Sequence, residues 1–180
     1  MSTVKTLSWR FGCLIGAMWV GLLLLGNLGG TSVFAHVREL HPSVYAMNRL
    51  FAEGALGCIL LAGMIASYRI GSVAAALKVG VLAGLISGAI VFVTLMGIAF
   101  LFHDAMTLDP SNIHEFARGA HRAPTQAELS KFLCTDALGG ALNMMWICPL
   151  LGITLGGLGA VAGKWMRQSD SGTPFAAHDV

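Results

Sequence analysis

Four long stretches in which almost every residue is apolar dominate the chain. Each is long enough to form a helix across a bilayer, which takes about 20 residues. The runs are continuous rather than alternating, which disfavours membrane-spanning strands. The pattern predicts an all-α polytopic membrane protein with a single four-helix transmembrane domain over residues 1–167. The four predicted spans cover about residues 11–34, 50–68, 73–102 and 137–163.

The two ends of the chain need separate interpretation. Residues before the first span are basic, as in a signal peptide, but the apolar run is longer than the usual 7–15 residues, so we interpret it as a retained span. The last segment, 168–180, contains Ser, Asp, Gly and Pro without a helical period. Such a composition predicts a disordered C-terminal tail.

The first and third spans align with each other without gaps. A shift of 68 residues places Gly12 on Gly80, and residues 40–43, Leu-His-Pro-Ser, on residues 108–111, Leu-Asp-Pro-Ser. Repeated segments in the same orientation are related by an axis along the membrane normal. We therefore predict two pseudo-symmetric helical hairpins that form a parallel repeat.

The aligned segments after the first and third spans each contain a proline, Pro42 and Pro110. Proline disfavours helical backbone in the residue before it. His41 and Asp109 are therefore predicted to be extended.

Small residues at helical spacing predict close packing between the spans. Lipid provides no hydrophobic drive between helices, so glycines matter because they let backbones approach each other. This glycine zipper pattern comprises Gly12, Gly16, Gly80, Gly84, Gly88, Gly152 and Gly156. The polar residues inside the spans are Asn27, Thr94 and Asn143. We interpret them as interhelical hydrogen-bonding groups, with solute contact as the alternative.

Charge distribution predicts the orientation. Short segments at the membrane ends are densest in basic residues at Lys5, Arg10, Arg69, Lys78, Lys164 and Arg167. Because basic segments stay inside, both termini are predicted to be cytoplasmic, in a bacterial-type inner membrane. The outer side holds seven of the nine acidic residues: Glu39, Glu53, Asp104, Asp109, Glu115, Glu128 and Asp136. Any chemistry is expected on that side.

Histidine and carboxylate groups on the outer side are candidate ligands for a metal ion. Such side chains suit zinc, copper or iron. No HExxH motif, phosphate-binding loop or dinucleotide fingerprint is present, so no motif implies a cofactor. The candidate ligands are His36, His41, His103, Asp104, His114 and Glu115.

Three functions are compatible with this pattern. The first is an accessory, assembly or interaction subunit of a membrane complex, with other membrane subunits or further copies as partners besides the lipid bilayer. The second is a membrane redox or metal-binding protein that uses the outer His, Asp and Glu residues. The third is a small permease with a path between the two hairpins. Nucleic-acid binding has no support, because the net charge is only +2 and no basic stripe exists.

Overall fold

The computed structural model describes residues 3–28 and 41–170, with side chains from residue 46 onward in the second range. All regular secondary structure in these ranges is helical. The helices are α1 (Thr3–Leu28), α2 (His41–Ile70), α3 (Val73–Leu101), α4 (His103–Thr107), α5 (Pro110–Ala120) and α6 (Gln126–Asp170). Four of them, α1, α2, α3 and α6, are long and apolar enough to cross a membrane. The all-helical class with four candidate spans is therefore confirmed.

The first two helices begin earlier than the apolar runs indicate. α1 begins at Thr3 rather than near residue 11. α2 begins at His41 rather than near residue 50, so the extended backbone expected of His41 is wrong. Hydropathy marks only the part of a helix that meets lipid, whereas backbone hydrogen bonds continue the helix into polar flanks. The end of the first predicted span, 29–34, lies outside the described residues.

The largest difference from expectation concerns α6. Its 45 residues extend about 67 Å at 1.5 Å per residue, twice the thickness of the hydrocarbon core. Residues 103–136, which lie between the third and fourth predicted spans, form α4, α5 and the first turns of α6. At the other end, Gln168–Asp170 is helical, which corrects the start of the predicted tail; residues 171–180 lie outside the described ranges.

A reciprocal cap explains where α6 begins. The Thr125 N–H donates to Glu128 Oε2 over 3.0 Å, and the Glu128 N–H donates to Thr125 Oγ1 over 3.4 Å. This is a capping box, which satisfies two free donors of the first turn. Arg122 adds two hydrogen bonds to the same carboxylate. Arg122 first, and then Thr125, hold the pKa of Glu128 at about 2, below its usual 4.5.

Glycines bring the backbones of α3 and α6 into direct contact. Gly80 lies against Gly152, so that a methyl group on either would meet the other's carbonyl oxygen. A methyl group on Gly84 would lie 2.5 Å from the carbonyl oxygen of Cys148 and 2.7 Å from Pro149 Cα. α6 remains helical through Pro149. At Gly80 and Gly84 the two helices therefore meet backbone to backbone.

The contact between α2 and α6 is equally close. Gly63 lies against Gly156, and Gly159 and Gly163 lie against the backbone of Leu60 and Met64. A cluster of small and aliphatic side chains fills this end of the bundle: Leu7, Ala66, Ala76, Val79 and Ala160. The half of the bundle next to the α2–α3 turn is thus closely packed.

The aligned glycines of the first and third spans face different neighbours. Gly12 and Gly16 of α1 contact Ile86 and Ile90 of α3. Under an exact two-fold relation, Gly80 and Gly84 of α3 would contact α1, whereas they contact α6. The hairpin repeat therefore stays a prediction.

Candidate functional site

A cavity of about 500 Å³ lies at the end of the bundle opposite the α2–α3 turn. α1, α3 and α6 form its walls, and α4 and α5 border its end away from the α2–α3 turn. Its apolar surface includes Leu23, Leu95, Met106, Phe132, Leu133 and Met144. A volume of this size falls within the range of small-molecule sites.

One face of α6 supplies four groups to the cavity. Phe132, Asp136, Gly140 and Asn143 are spaced by four, four and three residues and all line it. Residues three or four apart share one side of a helix. The seven steps from Asp136 to Asn143 correspond to a descent of about 10 Å along the helix. The cavity therefore continues from the acidic start of the predicted fourth span to well inside that span.

Three carboxylates border the cavity: Asp109, Glu115 and Asp136. Asp109 is buried and extended (φ −74°, ψ 119°), as predicted from Pro110, and its Oδ1 accepts the Ser111 N–H over 2.8 Å. This bond caps α5 and fixes the carboxylate in place. Within the described ranges, no Lys, Arg or His lines the cavity. The charged side chains that line the cavity are therefore all acidic.

Two carboxamides lie deeper in the cavity. The Asn27 Nδ2 group donates to the Leu23 carbonyl oxygen of its own helix over 2.9 Å. Asn143 is exposed. Thr94 likewise bonds within its own helix, to the Ile90 carbonyl over 2.9 Å, and does not line the cavity. The expected interhelical hydrogen bonds are thus not formed by Asn27 and Thr94, and the structure brings Asn27 and Asn143 together at one cavity.

Apolar side chains close the cavity below. Val91, Leu95 and Ala141 form a buried cluster. Trp19 packs against this cluster, and its indole N–H is buried without a hydrogen-bond partner among the described residues. Closer to the α2–α3 turn, the backbones of Gly80 and Gly84 contact the backbone of α6. The cavity therefore does not extend past these contacts toward the α2–α3 turn.

The candidate metal ligands are dispersed. His103 Nε2 lies 3.0 Å from Ser130 Oγ, which ties α4 to α6. Asp104 and His114 are exposed, and neither lines the cavity. Glu115 is the member of the predicted set that does line it. The predicted location of these residues on one side of the membrane thus does not bring His103, Asp104, His114 and Glu115 together.

The remaining two metal candidates fall outside what the structure describes. His36 lies in the segment 29–40, and the side chain of His41 is not among the described side chains. In the rest of the chain, the structure places no three His, Cys, Asp or Glu side chains close enough to hold one metal ion. The metal hypothesis therefore gains no ligand group from the described residues.

Sequence reasoning did not identify the site as a whole. Asp109, Asn112 and Asp136 all line the cavity, yet none belonged to the predicted set of metal ligands. Asp136 and Asn143 are two helical turns apart. If α6 is assumed to begin upstream of residue 136, this spacing predicts that the two side chains share one face of the helix. Asn112, whose Nδ2 donates to the Met106 carbonyl over 2.8 Å, gives no signal of that kind.

Comparisons with known proteins add no family. No protein-family model matches the chain, and no curated protein and no solved structure matches it. The cavity and its lining are therefore the basis on which a function can be proposed.

Proposed function

We propose that this protein is a small permease-type membrane protein that binds a small solute from the outer side of a bacterial-type inner membrane. The observation that carries the proposal is the cavity, which is bordered by three carboxylates and reaches Asn27 and Asn143 within the apolar part of the bundle. Polar groups at such depth are costly unless they meet water, a partner or a solute. A cavity that admits water and solute explains why Asn143 is exposed there.

The position of the cavity agrees with a path between two hairpins. α1 belongs to the first hairpin and α3 and α6 to the second, and all three line the cavity. The proposal includes the parallel repeat of these hairpins and the cytoplasmic location of both termini. With this orientation, the α2–α3 turn is cytoplasmic and the cavity faces outward.

The closely packed inner half restricts the mechanism. Backbone contacts such as Gly80 with Gly152 leave no continuous pore. At the same end, the Tyr68 hydroxyl donates to Asp170 Oδ2 over 2.8 Å and joins α2 to the end of α6. Passage of a solute would require these inner contacts to separate while the outer end closes. The proposal is thus alternating access, in which this structure is open to the outside.

An accessory or interaction subunit is the second candidate function. Gly57 of α2 and Gly139 of α6 are exposed, and a methyl group at either position would meet no atom within 4 Å. Bare glycines on the outside of a bundle permit close approach of a helix from another subunit. Purification in a mild detergent tests this candidate, because an accessory subunit brings along other subunits in a fixed ratio.

Cysteine labelling tests the proposed cavity. Asn143→Cys is introduced into a variant whose native cysteines, Cys13, Cys58, Cys134 and Cys148, are replaced by Ala. Membrane-impermeant methanethiosulfonates are then added to the outer side of intact cells. We expect Asn143→Cys to react, because a thiol needs water to form its reactive thiolate.

Leu142→Cys is the matched control. Leu142 is one residue away, 51% exposed, and does not line the cavity, so lipid surrounds it at nearly the same depth. We expect no reaction at this position. Equal rates at the two positions, or reaction of Asn143→Cys only from the cytoplasmic side, would contradict the proposed outward cavity.

A further inference from the structure

The cavity combines negative charge with an apolar wall. Asp109, Glu115 and Asp136 border it, and no basic side chain lines it among the described residues. A cleft lined by one sign of charge and walled by low-dielectric groups concentrates ions of the opposite sign. The site therefore favours a cation over an anion.

The arrangement of the carboxylates distinguishes between kinds of cation. Metal ions need several ligands around one point, and the described residues offer no group of three candidate ligands. The carboxylates instead accompany the ring of Phe132, whose neighbour Phe116 packs edge-on at a centroid distance of 5.6 Å. A carboxylate and an aromatic ring are the partners that an ammonium group with a carbon skeleton meets in proteins.

The deeper part of the cavity suits the rest of such a molecule. Leu23, Leu95 and Met144 form an apolar wall, and the carboxamides of Asn27 and Asn143 are the polar groups at that depth. Burying an unpaired charge there would be strongly unfavourable, whereas an uncharged hydrocarbon part gains from leaving water. The charge of the ligand therefore belongs at the outer carboxylates and its apolar part below.

We infer that the cavity binds an organic cation, a protonated or quaternary amine on an apolar body, with the ammonium group among Asp109, Glu115 and Asp136. This inference rests on the proposed outward cavity and specifies the solute class. Asp136 and Glu115 are the carboxylates best suited to a test. Asp109 also caps α5, so its replacement would disturb more than charge.

Two labelling reagents of opposite charge test the inference on the full chain in phosphatidylcholine vesicles. Asn143→Cys is treated with a trimethylammonium and with a sulfonate methanethiosulfonate, and the rate ratio is compared with that of small thiols in solution. We expect the cationic reagent to be favoured about tenfold more than in solution, the lower end of electrostatic focusing in clefts. Asp136→Asn combined with Glu115→Gln should remove most of this preference.

Glu53→Gln provides the matched control. Glu53 is also an outer carboxylate at the start of a predicted span, but it pairs with Arg49 over 2.6 Å and does not line the cavity. This variant should keep the preference within about twofold, because screening weakens exposed charges at a distance. An equal loss in Glu53→Gln and in the double variant would overturn the assignment of the carboxylates.

Competition identifies the ligand class. We expect 2-phenylethylamine to slow the labelling of Asn143→Cys and to protect at least threefold better than 2-phenylethanol, while 3-phenylpropanoate gives no protection. Equal protection by amine and alcohol would overturn the inference, and so would protection by calcium ions alone. If both reagents label Asn143→Cys without charge preference, the organic-cation inference fails and the proposed cavity stands. If neither reagent reacts, the proposed function fails as well.

Discussion

Replacing Gly84 by alanine should force α3 and α6 apart. The added Cβ would lie 2.5 Å from the Cys148 carbonyl oxygen and 2.7 Å from Pro149 Cα. Both neighbours are backbone atoms, so no side-chain rotation can relieve the contact. To bring the shorter distance to an ordinary contact of 3.4 Å, the helices must separate locally by about 0.9 Å.

Two opposing terms set the size of the effect. Overpacking a tight contact costs roughly 1–3 kcal/mol. Alanine is a better helix former than glycine by up to about 1 kcal/mol, which offsets part of this cost. We therefore expect Gly84→Ala to lower the free energy of unfolding by about 1–2 kcal/mol.

A series on the same helix separates these terms. A Cβ added at Gly88 would lie 3.3 Å from its nearest neighbour, the Met144 carbonyl oxygen. A Cβ added at Gly97 would have no neighbour within 4 Å. The free energy of unfolding should fall only slightly in Gly88→Ala and should be unchanged or slightly raised in Gly97→Ala. Titration with sodium dodecyl sulfate in mixed micelles, followed by tryptophan fluorescence, measures these values. If Gly84→Ala proves as stable as Gly97→Ala, direct backbone contact between α3 and α6 is refuted.

Two further predictions concern the N-terminal end of α6. Because the pKa of Glu128 is about 2 when folded and ordinarily 4.5, its contribution to stability is complete above pH 4.5 and is lost as pH falls toward 2. Carboxyl NMR titration should show this low midpoint, and Arg122→Ala should move it back toward 4.5; a wild-type midpoint near 4.5 would contradict the cap. Phe116→Ala removes the edge-on contact with Phe132, worth about 1 kcal/mol. Hydrogen exchange should then quicken in α5 but not in α3, and unchanged exchange in α5 would show that this contact does not hold it.

The membrane class could be predicted from sequence because it depends on composition and run length alone. The start of α6 could not be read in this way, because Gln126–Asp136 contains charges and so falls outside any hydropathy window. Its apolar residues Leu129, Phe132 and Leu133 do follow helical spacing, and Leu129 and Leu133 are buried against Met106 of α4. This amphipathic segment packs on protein rather than on lipid. Hydropathy reports contact with lipid and not helix length, so the segment was left outside the predicted fourth span.

The candidate site could be predicted only in part for a related reason. Asn27, Asn143 and Glu115 were all singled out, yet separately, as interhelical groups and as a metal ligand. The position of Glu115 at the cavity depends on where α5 lies against α6, and the contact of Phe116 with Phe132 and the cap at Asp109 help to fix α5 there. Sequence separation gives no measure of such tertiary contacts. His103, for example, contacts Ser130 of α6, which was not in the predicted set of ligands.

The depth at which the cavity ends follows from the order of residues along α3. Up to Gly88, glycines on the face toward α6 let the two backbones touch. The first buried residues of α3 beyond Gly88 are Val91 and Leu95, whose side chains stand between the helices. On the facing part of α6, Gly140 is small, and a methyl group there would still lie 3.8 Å from Leu95. The cavity is the space between the helices beyond these contacts, away from the α2–α3 turn. The residues that pack the half of the bundle next to that turn therefore also determine how far a solute can enter.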